Sequence, residues 1–327
     1  MTWAFRVIRK SLYGPCYSRG SVFRSLTEST TSAEWMVKLY YAASVYLAAR
    51  IIPETQSTVL SAREWDFLWP LSWVVRFEPG LTLNLISIAC FLSSLLAFQF
   101  HRSMAARTLF SVLFLLSATV TNSLGGINHP YHSWFWMSFV FIFLPSGNVA
   151  NFRRSERMSY LTVIRLAQAL FLVFYTMTGA WKVIYGVLAA VSGQVGNFSP
   201  DALSLTLANR SLQTGTDPLL APFLIDNPLL AWPIFLALIY IQVVSVIVAF
   251  RPRLHLLWGY LQIGFHLGTW LLMEIIFNEH ILLLLILLVL SPQSSAFHRF
   301  SESLEDLPVL GWIWKRARTQ RKLAPQP

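Results

Sequence analysis

The stretch Ala167–Val191, AQALFLVFYTMTGAWKVIYGVLAAV, decides how this chain is read, because it sets one ammonium, Lys182, among uncharged and mostly apolar residues. A run of that length, wound as a helix, is long enough to cross the ~30 Å hydrocarbon layer of a bilayer. A charge inside such a run costs roughly 2.5–3.5 kcal/mol at the membrane midplane, less where the side chain snorkels, so an intramembrane lysine points to function. The alternative is that Lys182 simply reaches the outer headgroups.

Working outward, the whole chain matches this segment. Of 327 residues, 55% are hydrophobic and 12% charged, and the mean hydropathy is +0.54. A soluble domain carries about 25% charge, so the composition predicts an integral membrane protein. Eight apolar segments are visible, near residues 35–52, 81–100, 107–125, 134–146, 160–190, 229–250, 255–277 and 279–292, of which the fourth and eighth are short. None alternates with a period of two, and lipid demands internally satisfied backbone groups, so the expected fold class is all-α, a polytopic bundle of about eight transmembrane helices.

The basic residues orient such a bundle. Eighteen lysines and arginines fall in the N-terminal arm, in the connections holding Arg102 and Arg107, Arg153, Arg154 and Arg157, and Arg251 and Arg253, and in the C-terminal tail. Only Arg50, Arg63, Arg76 and Arg210 fall on the opposite face. The positive-inside rule then predicts eight crossings with both termini cytoplasmic. The organisation expected is a basic cytoplasmic arm over 1–34, one transmembrane domain over 35–292 and a basic cytoplasmic tail over 293–327. The net charge of +10 is accounted for by orientation and by attraction to anionic lipid, and implies no nucleic-acid partner. The arm is rich in Arg and Ser and could pass for a transit peptide; a positive-inside anchor is the simpler reading. A bacterial inner membrane and a eukaryotic endomembrane are equally compatible.

Polar residues inside the apolar segments carry the functional signal. At 100° per residue Gln168, Tyr175, Thr178, Lys182 and Tyr185 share one face of the fifth segment, with Gly179 and Gly186 alongside where a neighbour could approach closely. In the seventh segment Gln262, His266, Trp270 and Met273 share a face, followed by Glu274 and the trio Asn278-Glu279-His280. Between the third and fourth segments lies TNSLGGINHPYHSWFW, which places Asn128, His129 and His132 on the same outer side as Lys182. Each has a plainer alternative. His266 could satisfy an interhelical hydrogen bond, His129 and His132 could be solvated in a Gly- and Pro-marked turn, and Glu274 and Glu279 could be wetted loop acids. The His129-Pro-Tyr-His132 spacing is no metal signature, and no metal is implied. The sequons at Asn197 and Asn209 would matter only on a luminal face of a glycosylating host.

At these residues the chain resembles a known family. Asn128-His129-Pro-Tyr131, Arg165 through Gln168, the run to Gly179-Ala-Trp-Lys182, Phe265-His266 and Ser291-Pro292 look like the successive landmarks of the vitamin K-dependent gamma-carboxylase transmembrane region, also called the horizontally transferred transmembrane (HTTM) domain. The resemblance implies an enzyme that uses reduced vitamin K or another quinol, with the amine at Lys182 as catalytic base. Burial disfavours an ammonium, so a membrane-embedded lysine is a reasonable base. It further implies that His129 is a second catalytic residue, that Asn128 and His129 lie by the quinone head group and that His266 lines the site, while His132, Tyr175, Thr178, Gln262 and Glu274 are candidate binding residues. The family pattern is broken at Ile127, where an asparagine is usual, and at Trp181, where a second lysine is usual. Only 35 residues follow Pro292, so the large luminal domain of the carboxylase is not expected and a protein substrate is left open. The reading from another class is a non-enzymatic membrane protein, a lipid- or quinone-binding scaffold or small transporter, in which Lys182 and the histidines hold a hydrophobic small molecule's head group or a counter-acid such as Glu274.

Overall fold

The computed structural model describes residues 25–61, 65–120, 122–123, 131–294, 306–311 and 316. Among them are eleven α-helices and no strand, so the fold is all-α. The candidate residues Asn128 and His129, residues 1–24 of the N-terminal arm and most of the tail lie outside the described residues. The described helices divide into two compact units, Leu26–Phe171 with Asn278–Pro292, and Leu172–Phe277.

The first unit holds α1 (Leu26–Ser61), α2 (Pro79–Gln99), α3 (Met104–Val120), α4 (His132–Phe141), the opening half of α5 (Arg154–Val191), and α11 (Asn278–Leu284), which runs on into one π turn. Helix α2 starts where Glu78 caps it, accepting from the Gly80 and Leu81 amides with Pro79 in the first turn. The core is aromatic. Tyr40 stacks on Trp134 at 4.9 Å and meets Phe141 edge-on at 4.8 Å. The Tyr40 hydroxyl donates to the Trp134 carbonyl and the Trp134 indole to Ser44 Oγ, each at 2.8 Å. Buried polar tips are thereby satisfied inside an otherwise apolar packing.

The second unit holds the rest of α5, then α6 (Ala202–Thr214), α7 (Ala221–Asp226), α8 (Pro228–Val243), α9 (Ser245–Val248) and α10 (His255–Met273). Residues 192–228, between two of the apolar segments, carry two helices that pack on α8. Leu203, Leu207, Ala221, Leu224, Ala231, Phe235 and Ile239 pack together, and Ser204 Oγ donates to the Leu224 carbonyl at 2.8 Å.

Eight spans are not supported. Two helices, α2 and α5, are long and apolar enough to cross a membrane by length and composition. The others fall short for separate reasons. Helix α1 has 36 residues but carries Glu28, Glu34, Lys38, Arg50 and Glu54. Helix α4 stops after ten residues, and Arg107 meets the chain beyond it, donating to the carbonyls of Ile142 and Leu144. That arginine is 1% exposed, so it serves the end of a helix and is not a headgroup-facing cation. Helix α8 breaks at Val244. Helix α10 has the length, 19 residues, but carries His255, Gln262, His266 and several glycines.

Candidate functional site

Lys182 lies in the second unit, and its surroundings are built by a close approach of two backbones. A Cβ added at Gly179 would meet Val243 N at 2.6 Å and Gln242 Cβ at 2.8 Å. Only a residue without a side chain lets α8 lie that tightly on α5. Three residues on from Gly179, Lys182 Nζ donates to Gln242 Oε1 at 2.9 Å. Gln242 is buried and Lys182 half-buried. Among the described residues no carboxylate lies within ion-pair distance of Lys182, so Glu274 is not its counter-acid. From the other side, Asn197 Nδ2 donates to the Lys182 carbonyl at 2.9 Å, and the Phe198 ring lies 3.0 Å from where a Gly186 Cβ would sit. The Asn197 sequon is thus spent on holding the loop to α5, whereas Asn209 stands exposed on α6.

The break in α8 supplies the rest. Ending a helix inside an apolar unit orphans amides and carbonyls, and side chains from the neighbouring helices take them up. Thr176 Oγ1 accepts from Val246 N at 2.9 Å. Ser245 Oγ accepts from Trp258 Nε1 at 3.0 Å and Gln262 Nε2 at 2.8 Å while donating to the Ile241 carbonyl at 2.8 Å. Gln262 is therefore a brace on the break.

Tyr175 and His266 meet across α5 and α10, with the Tyr175 hydroxyl 2.7 Å from His266 Nε2 and both residues buried. The imidazole packs against Phe265 and Phe277, with ring centroids at 4.9 and 5.2 Å. Lys182 follows Tyr175 by seven residues, roughly 10 Å along the helix axis. The two polar contacts thus lie on one side of α5, two turns apart. Thr178 is exposed and its hydroxyl donates to the Phe174 carbonyl at 2.9 Å. Trp270 is 48% and Tyr185 49% exposed, so neither shares the buried side. Glu274 is exposed in a left-handed conformation, φ 56°, where α10 ends.

The remaining candidates belong to the first unit. Gln168 Nε2 donates to the Leu287 carbonyl at 2.7 Å and Ser291 Oγ at 3.0 Å, joining two of the sequence landmarks. His132 is the first residue of α4 and half-buried. Beside it in sequence, Tyr131 donates to Glu54 Oε2 at 2.5 Å. Arg50 bridges Glu54 at 3.1 Å and Glu279 at 2.9 Å, and Ser133 Oγ lies 3.1 Å from His280 Nε2. Glu279, read as a wetted loop acid, is 6% exposed and ion-paired.

Sequence reasoning missed Gln242 and the Arg50 network. Gln242 did carry a signal, since it is one of three polar side chains, with Tyr240 and Ser245, in the run Pro228–Phe250. Chemically, an amine held by a neutral amide can take up or release a proton without stranding a counter-ion. An amine in an ion pair cannot. No family model, curated protein or solved structure matches this chain.

Proposed function

We propose that this protein is a membrane-embedded helical protein of the HTTM type that binds a quinol and uses the Lys182 amine as a base toward it. The membrane part is supported by apolar side chains left exposed along whole helices. Leu81, Leu85, Ile88, Leu92 and Leu96 form such a stripe on α2, and Met177, Trp181, Ile184, Leu188 and Val191 form another on α5. Soluble monomers rarely expose contiguous apolar surface on that scale.

The observation that carries the chemical reading is the Lys182 contact with Gln242, a neutral acceptor, with no carboxylate among the described residues paired to Lys182. Lys182 Nζ takes a proton from the quinol hydroxyl, and Gln242 Oε1 keeps the resulting ammonium oriented. The apolar neighbours of α5 exclude water, and the quinol supplies the oxygen-dependent chemistry. The resemblance of the Gly179-Ala-Trp-Lys182 and Phe265-His266 segments to the carboxylase region supports the same reading. No metal enters it.

The test is oxygen-dependent oxidation of reduced vitamin K, or a panel of other quinols, by the purified protein in nanodiscs. Wild type turns over, and Lys182→Ala at matched folding and quinol loading falls to background. No turnover by wild type with any quinol removes the enzymatic reading and leaves a lipid- or quinone-binding scaffold or small transporter.

A further inference from the structure

We propose that Gln242 is a positioning residue for Lys182, and that the neutrality of its amide is what leaves the Lys182 amine free to change its charge. This rests on the reading of Lys182 as a base and names the residue that would make it one.

Three independent features converge on this contact. Gly179 has no room for a Cβ, with Val243 N and Gln242 Cβ both under 3 Å from where it would be, so the Gln242 backbone is pressed onto α5 one helical turn from Lys182. Gln242 is itself 2% exposed, and its Oε1 receives the lysine at 2.9 Å. The chain just after it is pinned, because Thr176 holds the Val246 amide and Ser245 is saturated by Trp258, Gln262 and the Ile241 carbonyl. Gln242 therefore cannot swing away with a loose helix end; it is fixed from behind and faces the amine.

A carboxylate at the same place would make the same hydrogen bond but would add a charge that favours the ammonium. Burial strengthens that preference, since the pair would be shielded from water. Gln and Glu are near-isosteric, so the difference between them isolates charge from shape. Leucine removes the acceptor while keeping the bulk.

The experiment labels the full-length protein in nanodiscs with a membrane-permeant amine-acylating ester across a range of pH and reads acylation of Lys182 by peptide mass spectrometry. It compares wild type, Gln242→Glu and Gln242→Leu, with Lys182→Met to identify the background peptide. Wild-type Lys182 is acylated, Gln242→Glu slows the reaction about tenfold at a given pH and moves the half-maximal pH upward, and Gln242→Leu stays within a few-fold of wild type. Equal rates in wild type and Gln242→Glu overturn the proposal, as does equal protection in both variants, which would mean that access and not charge governs the amine. If Gln242→Glu does not fold, a Lys182 half-maximal pH in Gln242→Leu shifted as far as the acid was expected to shift it also overturns the proposal, and one near wild type sustains it. Because the readout needs no turnover, a protein inactive toward quinols with this labelling pattern would refute the catalytic reading while leaving the effect of the neutral Gln242 on the Lys182 charge standing.

Discussion

Arg50 and Lys182 are both half-buried cations in an apolar chain, and they are treated in opposite ways. Arg50 is claimed by two carboxylates, Glu54 and Glu279, and Tyr131 fixes the far oxygen of Glu54. Lys182 has one amide oxygen. The first arrangement locks a charge. It joins α1 to α11 and to the start of α4, which is what a scaffold needs and what a base must avoid. The second leaves the charge unmatched and open to change.

The contrast can be broken by substitution. The largest effect is expected for Arg50→Met, which strips Glu279 of its counter-charge; unfolding in detergent should show a loss of about 3 kcal/mol, because an acid would be left buried and alone. Adding Glu279→Leu to that variant should restore much of the loss, and a double mutant no better than the single would mean that the pair is not coupled. Gly179→Ala comes next, at about 2 kcal/mol from overpacking against Val243 and Gln242, accompanied by Lys182 labelling that no longer responds to the residue at 242. Glu274→Gly should gain about 1 kcal/mol by relieving the left-handed backbone at φ 56°, with no change in quinol binding. The smallest effect is expected for Lys182→Met, within about 1 kcal/mol of wild type, since the lost hydrogen bond and the relief of a partly desolvated charge oppose each other. A loss there as large as that of Arg50→Met would erase the distinction between the two cations.

The close approach at Gly179 was legible from residue size alone, but helical period placed five residues on one α5 face, of which Thr178 and Tyr185 are exposed. The pairing of Tyr175 with His266 could be placed on facing segments but not asserted, since it joins residues 91 apart in the chain. Eight spans are not supported for two kinds of reason: α1 and α10 carry charged or polar side chains, and a hydropathy window does not see where α4 and α8 stop. Arg107 takes up carbonyls beyond α4, and Thr176 and Ser245 stabilise a break in α8. At these two places the chain is held partly by a side chain from another helix, Arg107 of α3 beyond α4 and Thr176 of α5 at the break. Glu279 misled in the same way, because its partner Arg50 lies 229 residues earlier. Gln242 was visible as an odd polar residue in an apolar run, but nothing local says that it faces a lysine.

As a base, Lys182 must meet the quinol as an uncharged amine that can take up a proton, and Lys182→Arg removes that ability. Arginine keeps the cation and the reach to Gln242 but does not serve as a neutral base. Quinol turnover in nanodiscs, measured with quinol binding on the same samples, should fall to background in Lys182→Arg while binding stays within a few-fold of wild type. Turnover retained by the arginine variant would contradict the account and make Lys182 a charged anchor for a head group.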